Sequence, residues 1–542
     1  MNVDPVTVEV IKSSLMYASE EMGIAVRNSA YSPNIKERLD HSCALFDKHA
    51  RLIAQAEHIP VHLGSLPWGL KETLRVIERE HGGVAPGEMW IVNDPYVSGT
   101  HLNDVTVIRP VFFAGELFGF AANKAHHTDV GGMVPGSMSA DAPDLFAEGL
   151  IVPPMRLDSR AIALFRANSR TPGARSGDLR AQTAGNYTGE RRTLELLERY
   201  GVQTVQSAID RLLEESEIRM RAALRRLGEG TFRYEDVLED RAGAPSIRIA
   251  LQLTLSAGSA HFDYTGTAAQ VAYPMNAVYG VTLSGVYYAL RAVTDRDIPM
   301  NEGCFRPVSV HVPEGTILHP LRPAPVAGGN VETSTRNADV VLGALAQAAP
   351  HLVPAQSGGT MSNVMMGGVT AGGDAWAFYE TNGCGMGARP GMDGIPGIQC
   401  HMTNTLNTPI EAIERDYPLR VRRYEFAQGT GGGGRYRGGE GLIRALELTG
   451  GSAQLSLLAE RHNVHPQGAQ GGGEGATGAH TLELRNGERE MLPAKTSRRL
   501  QSGDCIVVQT PGGGGYGLML GEGAGSGEGS GGELGPGILP PH

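Results

Sequence analysis

Residues 89–132 read MWIVNDPYVSGTHLNDVTVIRPVFFAGELFGFAANKAHHTDVGG. Three apolar runs, MWIV, VTVIRPVFF and LFGFAAN, alternate with segments rich in Asn, Asp, Gly and Thr. Such runs, with β-branched and aromatic residues between turn signals, predict buried strands. CALFD at Cys43–Asp47 adds another upstream, so a β-rich core is expected over about 39–125. Chemistry collects in the polar intervals. His101 and Asp104 are three apart, and on a tight turn both can face one ion. His126, His127 and Asp129 follow about 25 residues on, where the run LFGFAAN ends. Ligands emerging where a buried strand meets a loop sit on a rigid base. Imidazole with carboxylate and no thiolate suits zinc, manganese or iron in a site that keeps an open position. Side chains alternate along a strand, so adjacent His126 and His127 point apart. At most one is a direct ligand there, and spacing leaves open which.

Outside this stretch, residues 4–30 carry Val6, Val10, Leu15, Ala18, Met22 and Val26 at helical spacing. Residues 190–228 form the strongest helical pattern, broken at Gly201; 231–270 alternate as a hairpin would; further helices are expected over 281–294 and 337–349. The polar segments Gly328–Val340 and Thr403–Phe426 are expected to be ordered loops with Asx-turns. After about 415, short strands such as LIRALELTG and AQLSLLAER are joined by Gly-rich turns. The fold class expected is α+β (mixed α/β) and multi-domain. It divides into an N-terminal metal-site unit (1–190), a helical segment (191–230), a central α/β unit (231–414), a Gly-rich β unit (415–517) and a disordered Gly/Ser/Glu tail (518–542).

Composition narrows the function. Of 74 glycines in 542 residues, 32 fall in 401–542, with no Gly-X-Y period, which excludes collagen. A net charge of −11 argues against a nucleic-acid footprint. Five scattered cysteines without a CxxC pair exclude a disulfide framework and a Cys-rich zinc site. The N-terminus has early acids and no apolar h-region, and no run of about 18 apolar residues occurs; a cytoplasmic protein is expected. There is no GxxxxGK[ST], HExxH or GxSxG. Gly429–Gly434 formally fits GxGxxG, but no helix opens after it, so any nucleotide is expected to bind elsewhere. His58 and His62 are separated by Pro60, which favours a cleft-lining or structural role over a helix-face metal pair. Cys43 reads as a buried hydrophobe. Lys124 either holds an anionic group or is structural.

DPVTVEVI (Asp4–Ile11), ERLDHSCALFD (Glu37–Asp47), NDPY with GTHLNDV, AHHTDVGG, MTNTLNTPIE (Met402–Glu411), GGGGRYRGGEG (Gly431–Gly441) and TPGGGGYG (Thr510–Gly517) together resemble the hydantoinase B/oxoprolinase family. The likeness runs to about Gly517. It implies a two-component machine. A partner A subunit of the actin-like ATPase type binds ATP-Mg and phosphorylates the carbonyl oxygen of a hydantoin, 5-oxoproline or lactam. The B-type subunit then hydrolyses the activated species at a divalent transition metal, zinc foremost, with manganese or iron as alternatives. By motif the ligands are Asp40, His101, Asp104 and His126, and Asp40 enters only through this resemblance. His127 would act as general base or orient water, with Asp129 fixing its tautomer. An α2β2 hetero-oligomer is implied, with neither nucleic acid nor membrane as a partner. The same family carries two alternatives: a subunit of a ketone carboxylase, or a non-catalytic scaffold. His41 departs from the family's ERxDFS-like pattern and either adds a nitrogen donor or packs.

Overall fold

Strands β1 (His41–Asp47), β2 (Leu52–Gln55), β3 (Trp90–Val92), β4 (Asp104–Phe113), β5 (Glu116–His126) and β6 (Met155–Arg156) form one sheet in the order β2-β1-β5-β4-β3-β6. The computed structural model describes residues 3–56, 58–370 and 372–519; the expected tail lies, from residue 520 on, outside the described residues. Both faces of the sheet are covered. Cys43, Leu45, Ala121 and Ala125 join one core with helices Pro5–Ser29 and Val202–Arg226, while Ala44, Phe46, Phe120 and Ala122 join another with helix His62–His81. A strand buried on both faces reads as a continuous apolar run, which is why CALFD and LFGFAAN stand out.

Helix Pro5–Ser29 is capped by Asp4, whose side chain accepts from the Thr7 N–H at 3.0 Å. Its buried stripe is Val8, Ile11, Leu15, Ala18, Met22 and Val26. Val6 and Val10, expected on that stripe, are exposed, because the i+3/i+4 progression from Ile11 passes through Val8 instead. The helical stretch expected from 190 begins earlier: Pro172–Tyr200 is one helix, and Gly201 (φ 78°) separates it from Val202–Arg226. Its first half hid because the residues it buries are polar. Gln182 donates to Val105 O at 2.8 Å and Asn186 to Val107 O at 2.9 Å, tying the helix to β4. Gly189 lets Met22 approach, since a Cβ there would lie 2.5 Å from its sulfur.

Strands Gly230–Glu239, Pro245–Ser256 and Ser259–Asp263 extend the expected hairpin to a three-stranded meander, and Val308–His311 adds a parallel edge. Helices Tyr279–Val293 and Ser334–Ala348 pack beside it. Gly328–Val340 is not a loop: a π-helical turn, Gly329–Thr333, runs directly into Ser334–Ala348. Its Asn, Glu and Arg side chains are buried and bonded, so polarity did not signal solvent. Thr403–Phe426 likewise contains helix Ile410–Asp416 and most of strand Leu419–Ala427.

Two C-terminal sheets enclose a further core that includes Val364, Phe378, Leu446, Leu455 and Ile506. One of them pairs Asn363–Val369 with Ser452–Leu458, so this layer draws on chain upstream of the expected boundary at 415. No helix among the described residues is long and apolar enough to cross a membrane.

The glycine clusters form backbone-to-backbone stacks. Gly432 N–H donates to Gly513 O, Gly513 N–H to Gly439 O and Gly439 N–H to Met386 O, all at 2.8–2.9 Å. A Cβ on Gly438 would sit 1.9 Å from Gly513 O, against backbone that cannot yield. Gly438→Ala is therefore expected to lower unfolding free energy by about 2 kcal/mol or more. Gly173→Ala, with nothing within 4 Å of its Cβ, should shift it little. Denaturant midpoints at unchanged slope measure both.

Candidate metal centre

Antiparallel register sets Asp104, the first residue of β4, opposite His126, the last of β5. The turn before β4 returns His101 to the same spot, with Asp104 N–H donating to His101 O at 3.1 Å. Lys124 braces that turn from β5: its buried ammonium donates to Ser98 O at 2.7 Å and Thr100 Oγ1 at 3.0 Å. Burial lowers its pKa to about 7. Lys124 thus takes the structural role of the two open to it. Asp40 precedes β1 at the same sheet end, where its carbonyl accepts from His126 N–H at 3.0 Å. Asn34 donates to His126 O at 2.8 Å and to Asp40 Oδ2 at 3.4 Å.

His101 Nε2, Asp104 Oδ1 and His126 Nδ1 form a triangle with edges of 3.2, 3.3 and 3.4 Å. Asp40 Oδ2 lies 4.0 Å from His126 Nδ1. A tetrahedral ion with bonds of about 2.0–2.1 Å needs ligand atoms about 3.3–3.4 Å apart. Hydrogen bonding alone does not settle the triangle. His101 Nδ1 faces the carbonyl of Ala327 at 3.3 Å, which only accepts. Nδ1 therefore carries a proton; in the neutral ring Nε2 then presents a lone pair to Asp104 and His126, and in the imidazolium it donates to Asp104. With both rings neutral, one proton on His126 answers one edge of the triangle, whereas a cation at its centre answers all three. His101, Asp104 and His126 are buried, and Asp40 is 8% exposed.

The surrounding layer contains residues that spacing did not reveal. His62 opens helix His62–His81, so Pro60 precedes the helix and does not interrupt it. Its Nε2 lies 3.3 Å from Asp104 Oδ2, and its Nδ1 2.8 Å from Ser42 Oγ. Ser42 already accepts from Ile59 N–H, so its hydroxyl proton is free for His62 Nδ1, leaving Nε2–H to donate to Asp104. Asn330, on the π-helical turn, reaches the same oxygen at 3.4 Å. Burial would raise the Asp104 carboxyl, but His101, His126 and His62 together hold it well below the usual range. His126 stacks on Tyr379 with ring centres 4.6 Å apart and 13° between planes. Burial, opposed by Asp104 and Asp40, lowers its pKa and favours the neutral, ligating form.

His127 points the other way, as alternation requires. Its Nε2 lies 2.9 Å from Gln182 Oε1 and its ring edges against Phe165. Burial, with Arg175 nearby, lowers its pKa to about 4. Asp129 does not fix its tautomer; Gln182 does. Asp129 instead accepts from Gly136 N–H at 3.1 Å and from Arg170 N–H and Nη1 at 2.9 and 3.0 Å, knotting the loop after β5. The structure thus pairs His127 with Gln182 and Asp129 with the loop after β5, and not with each other. His41 packs against His58, ring centres 5.0 Å apart, and Cys43 is buried in the sheet.

Residues 4–519 match the family Hydantoinase B/oxoprolinase. An uncharacterized protein of Methanocaldococcus jannaschii is 45% identical over 95% of this chain and 91% of its own length. The 5-oxoprolinase 1 of Arabidopsis thaliana is 35% identical over 95% of this chain, which spans only 42% of that relative. A protein of Pseudomonas sp. (strain NS671), provisionally named as the B component of a D-/L-hydantoinase, is 33% identical over 95% of this chain and 90% of its own length. Among solved structures, the ATP-dependent caprolactamase from Pseudomonas jessenii superposes with a TM-score of 0.89 at 32% identity, covering 96% of this chain and 92% of the other. An acetone carboxylase shares the fold, with a TM-score of 0.87 at 17% identity over 95% of this chain and 76% of that one. The chain belongs to the hydantoinase B/oxoprolinase family.

Proposed function

We propose that this chain is the metal-holding B-type subunit of an ATP-dependent cyclic-amide hydrolase. Its partner would phosphorylate the carbonyl oxygen of a hydantoin, 5-oxoproline or lactam, and this chain would hydrolyse the activated species. The observation that carries the reading is the triangle of His101, Asp104 and His126, whose ligand atoms stand at the spacing a tetrahedral ion asks for. The relatives above 30% identity that are named oxoprolinase, hydantoinase component or caprolactamase supply the substrate class. The likeness to acetone carboxylase is one of fold alone and does not favour the carboxylase alternative.

His101, Asp104 and His126 would hold the ion, with Asp40, 4.0 Å from His126 Nδ1, completing the set. A divalent ion there would supply Lewis acidity, polarising the bond under attack and lowering the pKa of water toward neutral. The protein's own groups prepare for it. Asp104 stays ionised, and His62 and Asn330 engage its second oxygen so that Oδ1 faces the imidazoles. Tyr379 fixes the plane of the His126 ring. Burial of all four side chains keeps bulk water from the site. An amide is a poor electrophile, and phosphorylating its oxygen creates a leaving group. No dinucleotide or phosphate-loop motif lies in this chain, which is consistent with ATP binding on the partner.

The purified full-length chain should carry about one first-row transition ion. Elemental analysis of His101→Ala should show it lost, while His127→Gln, whose ring faces Gln182, should keep it. Undiminished metal in His101→Ala would overturn the site. His62→Ala should weaken metal affinity by about 10–100-fold without abolishing binding.

With ATP and a lactam or hydantoin, the chain alone should open no ring. Adding its A-type partner should start ring opening, and chelation should stop it. Incorporation of labelled bicarbonate into a ketone by the same complex would instead establish the carboxylase.

A further inference from the structure

Away from the centre, Cys384 and Cys400 meet beside the C-terminal layer. Cys384 N–H donates to Ile398 O at 2.9 Å, and Ile398 N–H returns to Cys384 O at 2.9 Å. The Cys400 thiol lies 3.5 Å from that same Ile398 oxygen, and the two thiols are close enough to share a hydrogen bond. Cys384 is buried and Cys400 is partly exposed. His401, at φ 58°, follows directly, with Nε2 3.1 Å from Oδ1 of the buried Asp339. Burial opposes its protonation, but the hydrogen bond and charge of Asp339 prevail and raise its pKa.

The asymmetry between the thiols follows from these neighbours. The hydrogen bond with Cys384 holds Cys400 below the usual thiol range, against burial and with help from His401 and Ser357. The same bond, with burial, pushes Cys384 well above that range. Cys43 and Cys304 are raised by burial, and Cys505 is pushed up by burial to about 11. Thiolate character and access select which cysteine oxidises.

We propose that Cys384 and Cys400 form a reversible oxidation site, in which Cys400 reacts with a hydroperoxide and Cys384 closes the disulfide. The Cys400 thiolate attacks the peroxide, the O–O bond breaks, and water or an alcohol leaves, giving a sulfenic acid. The Cys384 sulfur then attacks that sulfur, the S–O bond breaks, and water leaves with the Cys384 proton. Two thiols are oxidised to one disulfide and one hydroperoxide is reduced. An added dithiol reverses the bond by exchange. The staple would close beside Gln399, which donates to Thr381 Oγ1 at 3.1 Å, and Arg38, which donates to the same atom at 2.7 Å.

The test treats the full-length chain with hydrogen peroxide, quenches with an alkylating agent, and maps cysteines by peptide mass spectrometry. The expected product is a Cys384–Cys400 disulfide that dithiothreitol reverses, formed about tenfold or more faster than oxidation at Cys43, Cys304 or Cys505. Cys384→Ser should stop at a dimedone-trappable sulfenic acid on Cys400, and Cys400→Ser should leave Cys384 reduced. Equal oxidation of all five cysteines, or sulfinic acid at Cys400 without a disulfide in the native chain, would overturn the proposal.

Discussion

Asp104 is an ionised carboxylate with 1% exposure, and an isolated buried charge costs several kcal/mol unless both oxygens are answered. Oδ1 faces His101 and His126, and Oδ2 faces His62 and Asn330. Those four residues come from the turn before β4, the end of β5, the start of a helix and a π-helical turn more than two hundred residues downstream. The carboxylate can be buried only if all four arrive. Its requirement therefore couples the register of β4 and β5 to the packing of helix His62–His81 and to the turn that carries Asn330. A π-helical turn is uncommon outside functional sites, and here it lets one side chain reach Asp104 while Glu332, two residues on, bonds Asn363 at 2.7 Å.

What could be read from sequence tracks how local each interaction is. His101, Asp104 and His126 were legible because apolar runs announced the strands and the three lay at or just before their ends. Asp40 needed the family motif, since nothing in its spacing separates it from an ordinary loop carboxylate. His62 was discounted for following Pro60, although a proline just before a helix start leaves the helix intact. Asn330 carried no signal, because its meaning depends on a contact 226 residues away in sequence. His127 and Asp129 looked catalytic by proximity in sequence; alternation turned the ring of His127 to Gln182, and backbone amides claimed Asp129. The helix from Pro172 was missed for a related reason. Amphipathic patterning assumes that polar side chains face water, whereas Gln182 and Asn186 spend theirs on strand carbonyls.

The glycine excess obeys the same logic. At Gly438, Gly432 and Gly513 no side chain fits, because backbone hydrogen bonds bring the segments into direct contact. Elsewhere, as at Gly201 with φ 78°, the left-handed conformation itself calls for glycine. These stacks fix the C-terminal layer rigidly, and that layer reaches the centre.

Arg38 shows how. Its guanidinium has no exposure and lies 3.2 Å from Glu380, on the strand Ala375–Glu380 that also carries Tyr379. It sits over the Tyr379 ring at 4.9 Å and donates to Thr381 and to Thr405 in the downstream loop. Two residues further along its own chain is Asp40. Removing one partner of a buried ion pair strands the other, at a cost of about 3–5 kcal/mol. The position of Asp40 and the plane of the His126 ring thus depend on the same C-terminal strand. The candidate centre lies at the convergence of the N-terminal sheet and the C-terminal layer, so residues 40–126 do not hold its arrangement by themselves. The N-terminal sheet and the C-terminal layer are matched to each other through Arg38, and the site depends on both.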